Sequence, residues 1–129
     1  MSSQGPQVPF LIGFVRRQAR LHVEVVGEST LENTLAYWRA IVEEIQSRPA
    51  SSILLVDQLR GDPLAEGEWL SLVEQMKGHG LELVRIAHVK PQGLQQIEYC
   101  EIFARDVGFD ARVFDDEHAA DLWLRYGET

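Results

Sequence analysis

Two hydrophobic periods alternate along the chain, and each change of period marks an element. Phe10–Val15 is apolar and β-prone, and in Leu21–Val25 the residues Leu21, Val23 and Val25 alternate with His22 and Glu24. This predicts a half-buried strand pair with Arg16–Arg20 as its turn and His22 facing solvent. Ser29-x-x-Glu32 is a capping-box pattern, in which a hydroxyl and a carboxylate satisfy the free amides of a helix start. Leu31, Leu35, Trp38, Val42 and Ile45 then fall at offsets of four, seven, eleven and fourteen, a single helical stripe that Pro49 ends. The run Ile53-Leu54-Leu55-Val56 within Ser52–Val56 has no polar alternation. A strand of that kind is buried on both faces, as in parallel sheets covered by helices on both sides.

The second half repeats this scheme. Trp69, Leu72, Val73 and Met76 form a helical stripe stopped by Gly78 and Gly80, and Val84–Val89 is the following strand. A helix over Leu94–Val107 stops at Gly108, Ala111–Phe114 is a short strand, and Asp115–Asp116 opens a last helix carrying Ala119, Leu122, Trp123 and Tyr126. The order ββαβαβαβα predicts a single α/β domain over residues 10–127. Its sheet should be mixed, mostly parallel and five-stranded, with Ile53–Val56 central and helices on both faces. Residues 1–9 are polar with two prolines and a glycine. They lack the basic and apolar regions of a signal peptide and read as a flexible arm.

Composition narrows the function classes. With 129 residues, 45% hydrophobic and 25% charged, the chain has the make-up of an ordinary globular domain. Its net charge of −8 repels phosphate backbones, so nucleic acid is not an expected partner. No apolar span reaches 18 residues, which argues against a membrane span. The single Cys100 excludes an intrachain disulfide, suits the cytoplasm, and reads as a small buried apolar residue of its helix.

The residues Leu21-His-Val-Glu-Val-Val-Gly27, Ile53-Leu-Leu-Val-Asp57 and Gly80-x-Glu-Leu-Val84 carry a family likeness. So does Phe103-Ala-Arg-x-x-Gly108, followed by Arg112-Val-Phe-Asp115 and Ala119-x-x-x-Trp123-Leu124. Over about residues 10–126 the chain resembles the STAS domain family, and more closely its SpoIIAA-like branch. The resemblance implies a non-enzymatic domain. Anti-sigma-factor antagonists of the family carry a phosphorylatable serine after the third strand, but here Asp57-Gln-Leu-Arg-Gly-Asp62 holds no hydroxyl, and the next is Ser71. The phosphorylation switch is therefore not carried over. The branch is also similar in architecture to lipid-binding CRAL-TRIO domains, which implies an apolar ligand.

Candidate chemistry gathers where parallel strands end, since ligands of open α/β sheets bind beyond the carboxyl ends. The residues there are Asp57, Gln58, Arg60, His88, Lys90 and Asp115. If their strands pair, Asp57 and His88 are neighbours, and a carboxylate can orient an imidazole. A catalytic pair needs a third partner such as a nucleophile, and none is evident; Asp57 otherwise caps the next helix or pins a loop. Asp57 and Lys90–Pro91 also suggest a receiver domain. That reading fails for want of an acidic pair after the first strand and of room for another strand–helix unit before Lys90. His22, His79, His88 and His118 show no metal spacing, and Asp115-Asp116-Glu117 reads as carboxylates at the positive end of a helix. Gly61-Asp62-Pro63 has too little glycine to cradle phosphate, and Trp38, Trp69 and Trp123 sit in core stripes. No cofactor or metal is implied.

The expectation is thus a STAS-like module that performs no chemistry and binds a protein partner or small apolar ligand, with a regulatory role and a homodimer formed through the Phe10–Val15 edge. The alternative is a small enzyme using Asp57 and His88. A closed apolar pocket would favour a ligand carrier, a flat apolar face a protein partner, and a polar cleft converging on the pair an enzyme.

Overall fold

The computed structural model describes residues 10–91 and 98–127. The arm expected over residues 1–9 and the first turn of the Leu94–Val107 helix lie outside these described residues. Five strands form one sheet in sequential order: β1 Phe10–Arg17, β2 Arg20–Glu28, β3 Ser52–Arg60, β4 Arg85–Val89 and β5 Asp110–Phe114. β1 and β2 are antiparallel and the other three pairs parallel. The helices are α1 Leu31–Ser47, α2 Glu66–Met76, α3 Glu98–Asp106 and α4 Glu117–Tyr126. This is the expected α/β class, mixed and mostly parallel, with β3 central.

Strand order explains the layers. Each parallel connection joins adjacent strands in the same direction, and a uniform right-handed crossover puts every connecting helix on one side. Accordingly Tyr37, Trp38, Trp69, Leu72, Cys100 and Ala104, from α1, α2 and α3, share one core with Ile53 and Leu55. The other face carries α4, whose Ala120 and Trp123 pack on Leu54, Val56, Ala87 and Val89. Leu54 and Leu55 point to opposite faces yet are 2% and 0% exposed, as the unbroken apolar run requires.

Several boundaries differ from the sequence expectation, each for a local reason. The hairpin turn shrinks to Gln18–Ala19, with Gln18 at φ 58°. Arg16 stays in β1 because its guanidinium reaches across to the carboxylate of Glu44 at 2.9 Å and to carbonyls at the α1 C-terminus, including those of Arg48 and Pro49. Thr30, rather than Ser29, caps α1, its hydroxyl accepting from the Asn33 amide at 3.0 Å. The buried α1 face is turned toward Asn33, Tyr37 and Ile41, leaving Leu31 and Leu35 at its margin. Asn33 tolerates burial because its side-chain amide donates to the Glu28 carbonyl at 2.8 Å. On α4 the buried pair is Ala120 and Trp123, whereas Ala119, Leu122 and Tyr126 are exposed; Asp116 caps this helix at the Ala119 amide. His22 is half-buried, not solvent-facing, beside Leu54 and the α4 residues His118 and Asp121.

Candidate functional site

β3 and β4 run parallel with Leu55 opposite His88. Side chains two residues apart share a face of a strand, so Asp57, Leu55, Ile53, His88 and Ile86 all point toward α1, α2 and α3. β3 continues to Arg60, and Asp57 consequently lies inside a strand, neither capping a helix nor resting in a loop. Its carboxylate is fully engaged. Oδ2 meets His88 Nε2 at 2.9 Å, while Oδ1 accepts from Lys90 Nζ at 3.3 Å and from the Leu59 amide at 3.0 Å. Lys90 Nζ also donates to the Leu59 carbonyl at 2.8 Å.

All three residues are buried, Asp57 at 4%, His88 at 2% and Lys90 at 5% exposure. Burial opposes ionisation of Asp57. The His88 hydrogen bond, the charges of His88 and Lys90 and the Leu59 amide outweigh it, holding the carboxyl below its usual range. An ionised carboxylate only accepts, so His88 carries a proton on Nε2. Among the predicted residues, Gln58 and Arg60 stand apart. The alternation of β3 turns them outward, and both are exposed. Both nonetheless border, together with Asp57, Leu59 and Lys90, an open surface cleft of about 260 Å³ that Val26 and Pro91 complete. Asp115 is exposed beyond β5.

The structure adds residues that the sequence left unlinked. Cys100 of α3 places its Sγ 3.9 Å from His88 Nδ1, completing a Cys–His–Asp line. Trp38 and Trp69 meet the imidazole edge-on at 6.2 and 6.5 Å between ring centroids. The Tyr37 hydroxyl is buried close to Asp57 but makes no hydrogen bond of good geometry. Full burial, then the Asp57 charge, raise its pKa well above normal. Nothing local in the sequence ties Cys100 or Tyr37 to Asp57, because helix-to-sheet docking makes the contact.

The line is poorly set for nucleophilic chemistry. Thiolates attack, and reactive cysteines sit in electropositive, partly open surroundings. Burial pushes the Cys100 thiol up to about 12, with the charges of Asp57 and Glu101 adding to it. The space beside it is an apolar cavity of about 30 Å³ between α2, α3 and the sheet, bordered by Trp38, Leu72, Met76, Ile86, Cys100 and Ala104. That is room for about one or two water-sized groups, against the roughly 300–1,000 Å³ of a ligand pocket. Among the described residues no His, Cys, Asp and Glu group has metal-binding geometry, and no helix is long and apolar enough to cross a membrane.

Compared with known proteins, the chain matches no family model and no curated relative.

Proposed function

We propose that this chain is a STAS-like module of the SpoIIAA-like kind, which performs no chemistry and acts by binding a protein partner. The observation that carries this reading is the burial of Asp57, His88 and Lys90 within their own network. The charged groups best suited to catalysis are spent on one another, the apolar cavity beside His88 and Cys100 is too small for a carried ligand, and the cleft beside Asp57 and Lys90 is an open surface groove. A regulatory role follows from a module whose output is association alone. The setting we propose is the cytoplasm, where the free Cys100 thiol persists.

The partner surface is the outer half of the sheet. α4 covers β3, β4 and β5, and beside it Leu11, Val15 and Val26 are 71%, 51% and 44% exposed. Leu11 and Val26 are direct cross-strand neighbours. Among the described residues β1 is an eight-residue edge strand without proline that pairs on one side only, a template for strand addition. We assign a second copy of the chain as its occupant. Antiparallel pairing of two β1 edges about a two-fold axis, centred on Gly13, sets Leu11 of one copy opposite Val15 of the other.

Light scattering tests this. The expected mass is twice the 14.6 kDa chain mass, falling to one chain in Val15→Lys. A concentration-independent mass near 14.6 kDa in the parent protein sinks the dimer. The Cys100–His88–Asp57 line is the specific observation on the side of an enzyme, and a Cys100 thiol that alkylates as fast in the native as in the unfolded protein would favour it.

A further inference from the structure

The opposite end of the sheet from Asp57 carries a basic cleft of about 640 Å³ between the β1–β2 turn, the start of β3 and the end of α4. Arg17, Arg20, Arg125, Ser51, Ser52 and Asp121 line it. In a chain of net charge −8, three guanidiniums here face one carboxylate. Asp121 is gripped on both oxygens, by Arg20 Nη1 at 2.7 Å and by Arg125 Nε at 3.1 Å. The two arginines therefore already clamp an oxyanion that the chain itself supplies.

Arg17 is the unexplained member. The other arginines at this end have structural duties, Arg16 on the α1 C-terminus and Glu44, Arg85 on Asp110 and the Trp123 carbonyl. Arg17 is exposed at the end of β1, where its backbone pairs with Arg20, and among the described residues its side chain has no ion pair or hydrogen bond. Neither helix capping nor a salt bridge accounts for its place beside the clamp. The cleft lining thus holds two positive charges in excess next to two serine hydroxyls, while Glu117 and His118 border Arg17 and Arg20 on the adjoining side.

We propose that this cleft binds the phosphate dianion of a small phosphomonoester. Guanidinium forks match phosphate oxygens, and two surplus charges match a dianion. The cleft extends past the clamp along Gln18, Ala19, Ser51 and Ser52, which gives the organic group of an ester a surface to lie on. The net charge of −8 around the cleft and the Asp121 carboxylate within it disfavour a polyanion. Arg17 is the last residue of β1, so the site adjoins the edge proposed for partner binding, and the amides of Gln18, Ala19, Ser51 and Ser52, outside that strand, report on it separately.

The test is an amide NMR titration of the full chain with phenyl phosphate, inorganic phosphate and, separately, a single-stranded oligonucleotide. Saturable shifts at Gln18, Ala19, Ser51 and Ser52 are expected with phenyl phosphate, and weaker binding with inorganic phosphate. Arg17→Ala, at a side chain without contacts, should weaken the ester about tenfold. Asp121→Asn should tighten it several-fold by removing the internal competitor; its amide spectrum reports whether the fold is kept, and Arg17→Lys serves as the second variant, expected to bind in between. Non-saturating shifts matching those of chloride at equal ionic strength would overturn the site. Unchanged affinity in Arg17→Ala would do the same. Equal binding of inorganic phosphate, or tighter binding of the oligonucleotide, would overturn the assignment to a small ester.

Discussion

Replacing Asp57 by alanine isolates the energetics of the buried network. The change deletes the acceptor of Lys90 Nζ and of the His88 Nε2 proton, leaving an ammonium 5% exposed with the Leu59 carbonyl as its remaining partner. Removing one partner of a buried pair costs about 3–5 kcal/mol, because the surviving charge is desolvated without compensation. Lys90 also borders the open cleft with Gln58 and Arg60. Its flexible stem allows the ammonium to turn toward water, which places the expected loss near the lower end, about 3 kcal/mol. Lys90→Met should cost less, about 2 kcal/mol, since Asp57 retains the His88 and Leu59 donors. The double variant removes both charges, and its loss should fall short of the sum of the singles by about 2 kcal/mol. Urea denaturation followed by tryptophan fluorescence gives all three values, with Trp38 and Trp69 beside His88 as reporters. Additivity within about 0.5 kcal/mol, or an Asp57→Ala loss below about 1 kcal/mol, would refute a coupled buried pair.

The pH dependence has a definite sign. Because the folded-state pKa of Asp57 is lowered, its stabilising contribution is complete above the ordinary aspartate value of about 3.9 and disappears as pH falls through the lower folded value. The stability gap between the parent and Asp57→Asn should therefore narrow below about pH 4, and a gap constant down to pH 2 would contradict the shift. With its thiol pushed up to about 12, Cys100 should react with a disulfide reagent at pH 8 at least about a thousandfold more slowly in the native than in the unfolded protein. Rates within about tenfold would show an accessible thiol. Trp123→Ala should destabilise by about 3–5 kcal/mol, since the indole anchors α4 on Leu54, Val56 and Val89. An unchanged denaturation midpoint would make α4 peripheral.

The chain's own hydrophobic periods determined the element order, the class of fold and the central place of Ile53–Val56. Period two, period 3.6 and an unbroken apolar run are local properties, and each burial mode leaves one of them in the sequence. Asp57 and His88 were legible as neighbours because strand pairing turns a position along one strand into a position beside the next, whereas the reach of Lys90 to Asp57 was not. Gln58 and Arg60 were not separable from them. Whether β3 ends at Val56 or continues to Arg60 decides which side chains point inward, and polar residues such as Gln58 give no signal that a strand persists. Boundary shifts on helices arose in the same way. A stripe defined by Ala119, Leu122, Trp123 and Tyr126 is one of several compatible with helical spacing, and the docking of α4 on a flat sheet selected Ala120 and Trp123 instead. Tertiary structure alone brought Cys100 to His88, Tyr37 to Asp57, and Arg17 beside the Arg20–Asp121–Arg125 clamp. Those groups come from elements far apart in the chain. Their proximity is set by how helices pack across a twisted sheet, and no sequence interval encodes that distance.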